Sequence, residues 1–161
     1  MKEKTLFLAT VSFLMRNNSV WLAIKSRKIG AGCRNGYGGG IEPKDKNLIH
    51  SAIREIKQEC KVKTFPENFE KVAIVYFNNT KSDGTTFVCE VHFYIVRNWE
   101  GTPKETKEML NPKSYNKNNL PLSEMMPADK EFVPLVMKGK KIIATYYYGP
   151  FQIIMVHFKK N

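Results

Sequence analysis

Two hydrophobic rhythms alternate along the chain. In residues 6–15 and 20–25 apolar side chains form strand-like runs, the first interrupted at alternate positions by Thr10 and Ser12, as in a half-buried strand. Arg16, Asn17, Asn18 and Ser19 separate the two runs as a polar turn of hairpin length. A long glycine-bearing loop is predicted to follow through Cys33. From Asn47 the period lengthens, because Ile49, Ala52, Ile53, Ile56 and Cys60 recur at helical spacing and define one buried stripe, with Asp45 or Asn47 as the cap.

Residues 72–77 and 87–96 are β-branched and aromatic, and the polar segment 78–84 between them carries an Asp83-Gly84 turn signal, so a second hairpin is predicted. Residues 99–120 are polar and irregular, and are expected to form a loop with one short strand. A second helix is predicted over about 128–138, kinked or split by Pro134. Residues 141–148 and 151–159 flank Gly149-Pro150 as a closing hairpin, in which Tyr146, Tyr147 and Tyr148 read as packing residues. This order of strand pairs and helices predicts an α+β domain whose mixed sheet is packed between helices.

The 161 residues are one domain's worth, and 1–161 is read as a single domain. A hydrophobic share of 42% and a charged share of 25% set the chain apart from sequences that stay disordered. The formal charge of +11 would draw in phosphorylated ligands. Its lysines are scattered rather than clustered, so a nucleic-acid partner is not favoured. No apolar stretch has the length of a membrane span, and a membrane partner is not expected. The charged start and the apolar run after it imitate a secretion signal but lack a small-x-small cleavage site, so the run is read as the first strand. Cys33, Cys60 and Cys89 are odd in number and widely spaced, which predicts reduced thiols and a cytoplasmic location. Oligomeric state is not written in these features.

The chemistry concentrates between Gly36 and Val62. Glu55 and Glu59 lie four residues apart on the predicted helix, so both project from one face, with Gln58 beside them and Arg54 between that face and the buried stripe. Two such carboxylates can hold Mg²⁺ through hard oxygens, leaving other coordination sites to water and phosphate. Just upstream, Gly36, Gly38, Gly39 and Gly40 are read as a glycine turn that removes side chains where a phosphate or metal must approach the backbone. His50, His92 and His157 have no ligand spacing.

These residues resemble the signature of the Nudix hydrolases: glycine, five residues, glutamate, seven residues, Arg-Glu-aliphatic, one residue, Glu-Glu, one residue, glycine and a final aliphatic. Arg54, Glu55 and Ile56 match the central triplet, Gln58 and Glu59 the acidic pair, Lys61 the last glycine and Val62 the aliphatic. Counting back gives Gly40 as the box glycine with Lys46 at the acidic position. Starting from Gly39 places Asp45 there with one extra residue, and this alignment is preferred because an inserted loop residue is cheaper than a reversed charge. Residues 25–39, Leu120-Pro121, the segment from Met125 to Asp129, Phe132 and Pro134 resemble the MutT-type branch that sanitises oxidised purine nucleoside triphosphates.

The resemblance implies a Nudix fold, an α/β/α sandwich. It implies hydrolysis of a nucleoside triphosphate, such as 8-oxo-dGTP, to a monophosphate and pyrophosphate with Mg²⁺ or Mn²⁺. Glu55, Glu59 and Arg54 become the candidate catalytic residues, and Gly39, Glu55, Gln58, Glu59 and Glu108 the candidate metal set, with Glu105 as the other candidate for the acid outside the box. Asn35 and Asp129 are implied to read the purine edge, while Met126 stands where the branch has a stacking tryptophan and Ala128 where it has a first aspartate. Lys25, Arg27 and Lys28, placed just before the glycines, are candidates for steering or binding the polyphosphate. Because Gln58, Lys61 and Ala128 depart from the enzymatic pattern, a non-cleaving nucleotide- or RNA-binding protein is the alternative. Dinucleoside polyphosphate or capped RNA are the alternative substrates.

Overall fold

The first strand, β1 (Leu8–Arg16), returns through Asn17 and Asn18 into β2 (Ser19–Lys25). Both asparagines take positive φ, 52° and 64°, the left-handed backbone that a two-residue hairpin turn demands and that Asn tolerates. The structure, a computed structural model, describes residues 6–27, 30–149 and 155–160, the last stretch as backbone alone.

β1 and β2 pair only near the turn, from Leu14↔Trp21 to Arg16↔Ser19. Beyond it they diverge, and one extended segment fills the gap: β3 (Arg34–Asn35) pairs with β2, and β4 (Tyr37–Gly40) pairs with β1. The expected glycine turn is therefore a strand. With no Cβ at three of its four positions, β4 lies against β1 where an ordinary strand could not, because a side chain at Gly38 would strike the Thr10 carbonyl.

The helix α1 (Leu48–Cys60) follows, capped at its start by Asn47, whose side chain accepts the His50 N–H. Its stripe buries Ala52, Ile56 and Cys60 completely, with Ile49 and Ile53 half-buried at the margin. The helix ends on Lys61 at φ 63°, in the left-handed position usually given to glycine. β5 (Phe69–Thr80) and β6 (Thr86–Val96) form the second hairpin, with Gly84 at φ 88° in the predicted turn. Here β5 runs three residues past the expected 77, which brings Asn78 and Asn79 into the strand. β7 (Met109–Asn116), eight residues in the segment expected to hold a short strand, pairs with β2.

α2 (Pro127–Met137) starts on proline, where a missing N–H costs nothing, and passes through Pro134 as one helix. Phe132, Val133, Val136 and Met137 are buried against the sheet on both sides of that proline, and the Lys138 N–H bonds to Pro134 and Leu135. Tertiary packing overrides the expected break. β8 (Ile142–Tyr148) buries Tyr146 and Tyr148 and exposes Tyr147, the alternation expected for a strand; β9 (Met155–Lys160) pairs with it, while residues 150–154 of the closing hairpin lie outside the described residues.

Among the described residues the sheet runs β3-β2-β1-β6-β5-β8-β9. It is mixed, since β1 runs parallel to β6 and β5 parallel to β8. The larger core lies between the sheet and α2, around Phe13, Phe93 and Phe132; the smaller lies under α1, around Leu14, Tyr37 and Ile56. Helices thus cover both faces, the α/β/α arrangement expected. No helix among the described residues is long and apolar enough to cross a membrane. Cys33, Cys60 and Cys89 are free thiols.

Candidate functional site

Arg54 organises the acidic half of the site. Its Nε and Nη2 donate to the two oxygens of Asp45 at 3.0 and 2.8 Å, and its Nη1 donates to Glu55 at 2.8 Å and Gln58 at 3.1 Å. Nη2 also reaches the Gly40 carbonyl at 3.2 Å, and Glu42 approaches Nε at 3.1 Å. One planar fork thus ties the loop, β4 and α1 together. Asp45 in turn accepts the Glu42 N–H at 2.8 Å, and Arg54's hydrogen bonds hold its carboxyl well below the usual carboxylate range. Asp45 thus ties the loop before α1 to the helix through Arg54.

Glu55 and Glu59 do not share a solvated face, as a helix with its carboxylates opposite the apolar stripe would predict. Glu59 is 5% exposed and turns inward, where its Oε1 accepts the Gly38 N–H at 2.8 Å. Glu55 presses on β4, so that a Cβ on Gly39 would stand 2.8 Å from its carboxylate. Burial raises the pKa of both groups. For Glu59 it reaches about 8, with Gly38's hydrogen bond opposing the rise and the charges of Glu55 and Glu108 adding to it. Glu108 comes from outside the helix, positioned by its backbone carbonyl, which accepts the Ser26 N–H at 3.0 Å. Glu105 instead accepts the Asn111 N–H at 2.7 Å and takes no part in the cleft.

An open cleft gathers Gly39, Glu55, Gln58, Glu59 and Glu108 with Arg54, Lys25 and Arg27. Lys28 lies outside the described residues. Hard carboxylate and carbonyl oxygens without a thiol or imidazole suit a divalent cation such as Mg²⁺, and the charges of Glu55 and Glu108, which add to the rise at Glu59, offer it a negative field. Among the described residues no ready-made cage of three acids or imidazoles stands in place. Glu55 is drawn to Arg54 and Glu59 to Gly38, an arrangement suited to a cation that keeps water and phosphate among its ligands.

Beside this cleft, a second and largely apolar cavity opens on the α2 face of the sheet. It shares Leu6, Lys25, Gly38, Gly39 and Glu59 with the acidic cleft. The four residues singled out for substrate, Lys25, Asn35, Met126 and Asp129, all line it. Asn35 Oδ1 accepts the Gly36 N–H at 2.8 Å, which leaves its amide hydrogens for the cavity. Met126 is 8% exposed and forms part of the wall. Burial pushes Asp129 up to about 7, with the Lys25 ammonium pulling the other way. Lys25 likewise acts on Glu59, so its charge stands between the two halves of the site.

The sequence reading missed Asn79, Tyr148, Phe77 and Phe87, which complete this cavity. Asn79 was assigned to a turn, yet it is 4% exposed and lies in register with Tyr148. The two-residue alternation of Val75, Phe77 and Asn79 was the available signal. Of the histidines, His92 pairs with Glu90 at 2.6 Å and lines neither cavity.

No family model matches the chain. It is 27% identical over 150 residues to an oxidized purine nucleoside triphosphate hydrolase of Danio rerio, covering 93% of this chain and 92% of the relative. The Mus musculus protein of the same name is 26% identical over 141 residues, 88% of this chain and 86% of that one. A crystal structure of a mutator MutT protein from Bacillus halodurans superposes with a TM-score of 0.76 at 19% identity, covering 97% and 98% of the two chains. The Nudix domain of Shewanella oneidensis NrtR, complexed with ADP ribose, gives 0.63 at 16% identity over 84% and 88%. The fold is the Nudix fold, and the likeness to MutT-type proteins runs the length of the chain.

Proposed function

We propose that this chain is a MutT-like Nudix hydrolase that cleaves a nucleoside triphosphate to the monophosphate and pyrophosphate, with oxidised purine nucleotides such as 8-oxo-dGTP as the substrate class. The observation that carries the reading is the continuity of the two cavities: an acidic cleft for a metal–polyphosphate opens past side-chain-free β4 into an apolar pocket for a base, with Lys25 at the junction. Similarity to relatives named for that substrate class supports the same assignment.

In this reading Glu55, Glu59, Glu108 and the Gly39 carbonyl would hold Mg²⁺ or Mn²⁺, and Gln58, whose Oε1 already accepts from Arg54, would contribute at most its remaining lone pair. A bound divalent ion supplies charge to the phosphoryl oxygens and lowers the pKa of coordinated water. The residues of the chain do the rest. Lys25 neutralises the polyphosphate as it passes from one cavity to the other. Arg54 is a positioning residue, holding Glu55 against β4 while Asp45 anchors it from the loop. Glu59, with a pKa of about 8, holds its proton at neutral pH in the metal-free protein and would have to give it up to serve as a ligand. Asn35, Asp129 and Met126 meet the base.

The test is Mg²⁺- or Mn²⁺-dependent pyrophosphate release across a panel of ordinary and oxidised nucleoside triphosphates, dinucleoside polyphosphates and capped RNA. Release from the triphosphates, abolished by Glu59→Gln, is expected. Tight nucleotide binding without turnover under either metal would make the protein a non-cleaving binder.

A further inference from the structure

Tyr148 occupies a position in the cavity wall that packing alone does not explain. Its ring stacks on Phe77, with centroids 5.8 Å apart and planes 25° from parallel, and the residue is 2% exposed. Its hydroxyl extends to the start of α2, where Oη accepts the Ala128 N–H at 2.7 Å. Met126, preceding that helix, provides no side-chain cap, so the phenol does. A hydroxyl that accepts one bond still carries a proton to give. No described residue takes it.

The neighbours of that proton lie in the same cavity. Asn79 faces Tyr148 across the β5–β8 register, and Asp129 follows directly on Ala128. Burial and the nearby Asp129 charge raise the phenol's pKa, so it stays a donor at neutral pH. Asn35 turns its oxygen to the Gly36 N–H, which directs its amide hydrogens to the cavity. Two of the polar groups in the wall whose orientation is fixed are therefore both donors, and a buried donor left without an acceptor costs binding energy.

Building on the nucleotide reading of this cavity, we propose that the Tyr148 hydroxyl is a specificity-determining hydrogen-bond donor. Together with the Asn35 amide it favours bases that present a carbonyl oxygen over bases that present an amino group at the same edge. The pinning bond from Ala128 fixes where the donor stands, and the stack on Phe77 fixes the ring that carries it. An amino group placed there would set donor against donor and leave both unpaired.

Calorimetric binding of inosine monophosphate and adenosine monophosphate tests this in the wild type and in Tyr148→Phe. The monophosphates carry a base but no scissile anhydride, so the result does not depend on turnover. The wild type should bind the inosine form about tenfold more tightly, the factor for one neutral hydrogen bond, and the ratio should fall towards one in Tyr148→Phe. A role confined to capping α2 would lower the melting temperature and weaken both ligands alike; an unchanged ratio overturns the proposal. So does a wild type that binds neither base. If Tyr148→Phe does not fold, the wild type's preference for inosine monophosphate over the purine ribonucleotide lacking the 6-oxygen decides, and a preference below about threefold overturns the proposal. Absent pyrophosphate release with the binding preference intact would overturn the hydrolytic reading alone.

Discussion

Replacing Glu59 by Gln should stabilise the metal-free protein while destroying its activity. Glu59 is 5% exposed, and its pKa of about 8 lies well above the ordinary value of 4.5. The folded state therefore binds this proton more tightly than the unfolded chain. Between pH 4.5 and 8 the unfolded chain releases the proton first, so stability is lost as pH rises through that window and the loss is complete above it. At about 1.4 kcal/mol for each pH unit by which the two affinities differ, an ionised Glu59 costs on the order of 5 kcal/mol. Gln has the same shape, still accepts the Gly38 N–H and never ionises. Denaturant unfolding in a chelator at pH 5 and pH 9 should find the two proteins within about 1 kcal/mol at pH 5 and the variant stabler by about 5 kcal/mol at pH 9. Adding Mg²⁺ should then raise the stability of the wild type, through binding to the folded state alone, and leave the variant nearly unmoved. A gain of equal size at both pH values would refute the reasoning, because it would trace to packing and not to a buried charge.

Three further outcomes follow from particular contacts. Lys61→Gly should raise thermal stability by about 0.5–1 kcal/mol, because the left-handed backbone at φ 63° strains any residue with a Cβ while glycine returns part of the gain as unfolded-state entropy; a lowered melting temperature would contradict it. Arg54→Lys should cost about 2 kcal/mol in denaturant unfolding and more than tenfold in turnover, since an ammonium cannot make the paired bonds to Asp45 and hold Glu55 as well. Gly38→Ala and Gly39→Ala should separate cleanly in circular dichroism and activity. The first drives a methyl into the Thr10 backbone and should prevent stable folding, whereas the second displaces only the Glu55 side chain and should leave a folded protein of low activity.

The helix carrying the acids was legible because its information is local: the stripe, the Asn47 cap and the Arg54–Asp45 spacing all lie within a few turns of chain. Lys25 was legible from its place just before the glycines, whereas Asn35, Met126 and Asp129 were legible only through resemblance, since they come from β3 and the start of α2. Three readings failed for a common reason. Gly36 to Gly40 looked like a turn, Asn79 like a loop and Pro134 like a break, each on residue type alone. In each case a distant element decides: β1 pairs with the glycines, β8 and β6 extend β5 through Asn79, and the sheet buries Phe132, Val133, Val136 and Met137 around Pro134.

The glycine strand is also where fold and chemistry become one problem. β1 and β2 are held together only at their turn, so β3 and β4 enter between them and bring Asn35 and Gly39 to opposite ends of a single short segment. Side chains on β4 would wall the acidic cleft off from the apolar cavity. Their absence lets Glu59 bond directly to the Gly38 backbone and lets Glu55 lie flat against Gly39. A base held between Asn35 and α2 would then have its phosphates directed past Lys25 towards the carboxylates by the course of the strand itself. Lys61 sits beyond the end of α1, outside this passage, and Gln58 lines the cleft as a neutral acceptor of Arg54, whereas Asp45, Arg54, Glu55 and Glu59 form its frame. That distribution is what a working hydrolase can tolerate, and a binder freed from catalysis would have no reason to keep a carboxylate as unfavourably buried as Glu59.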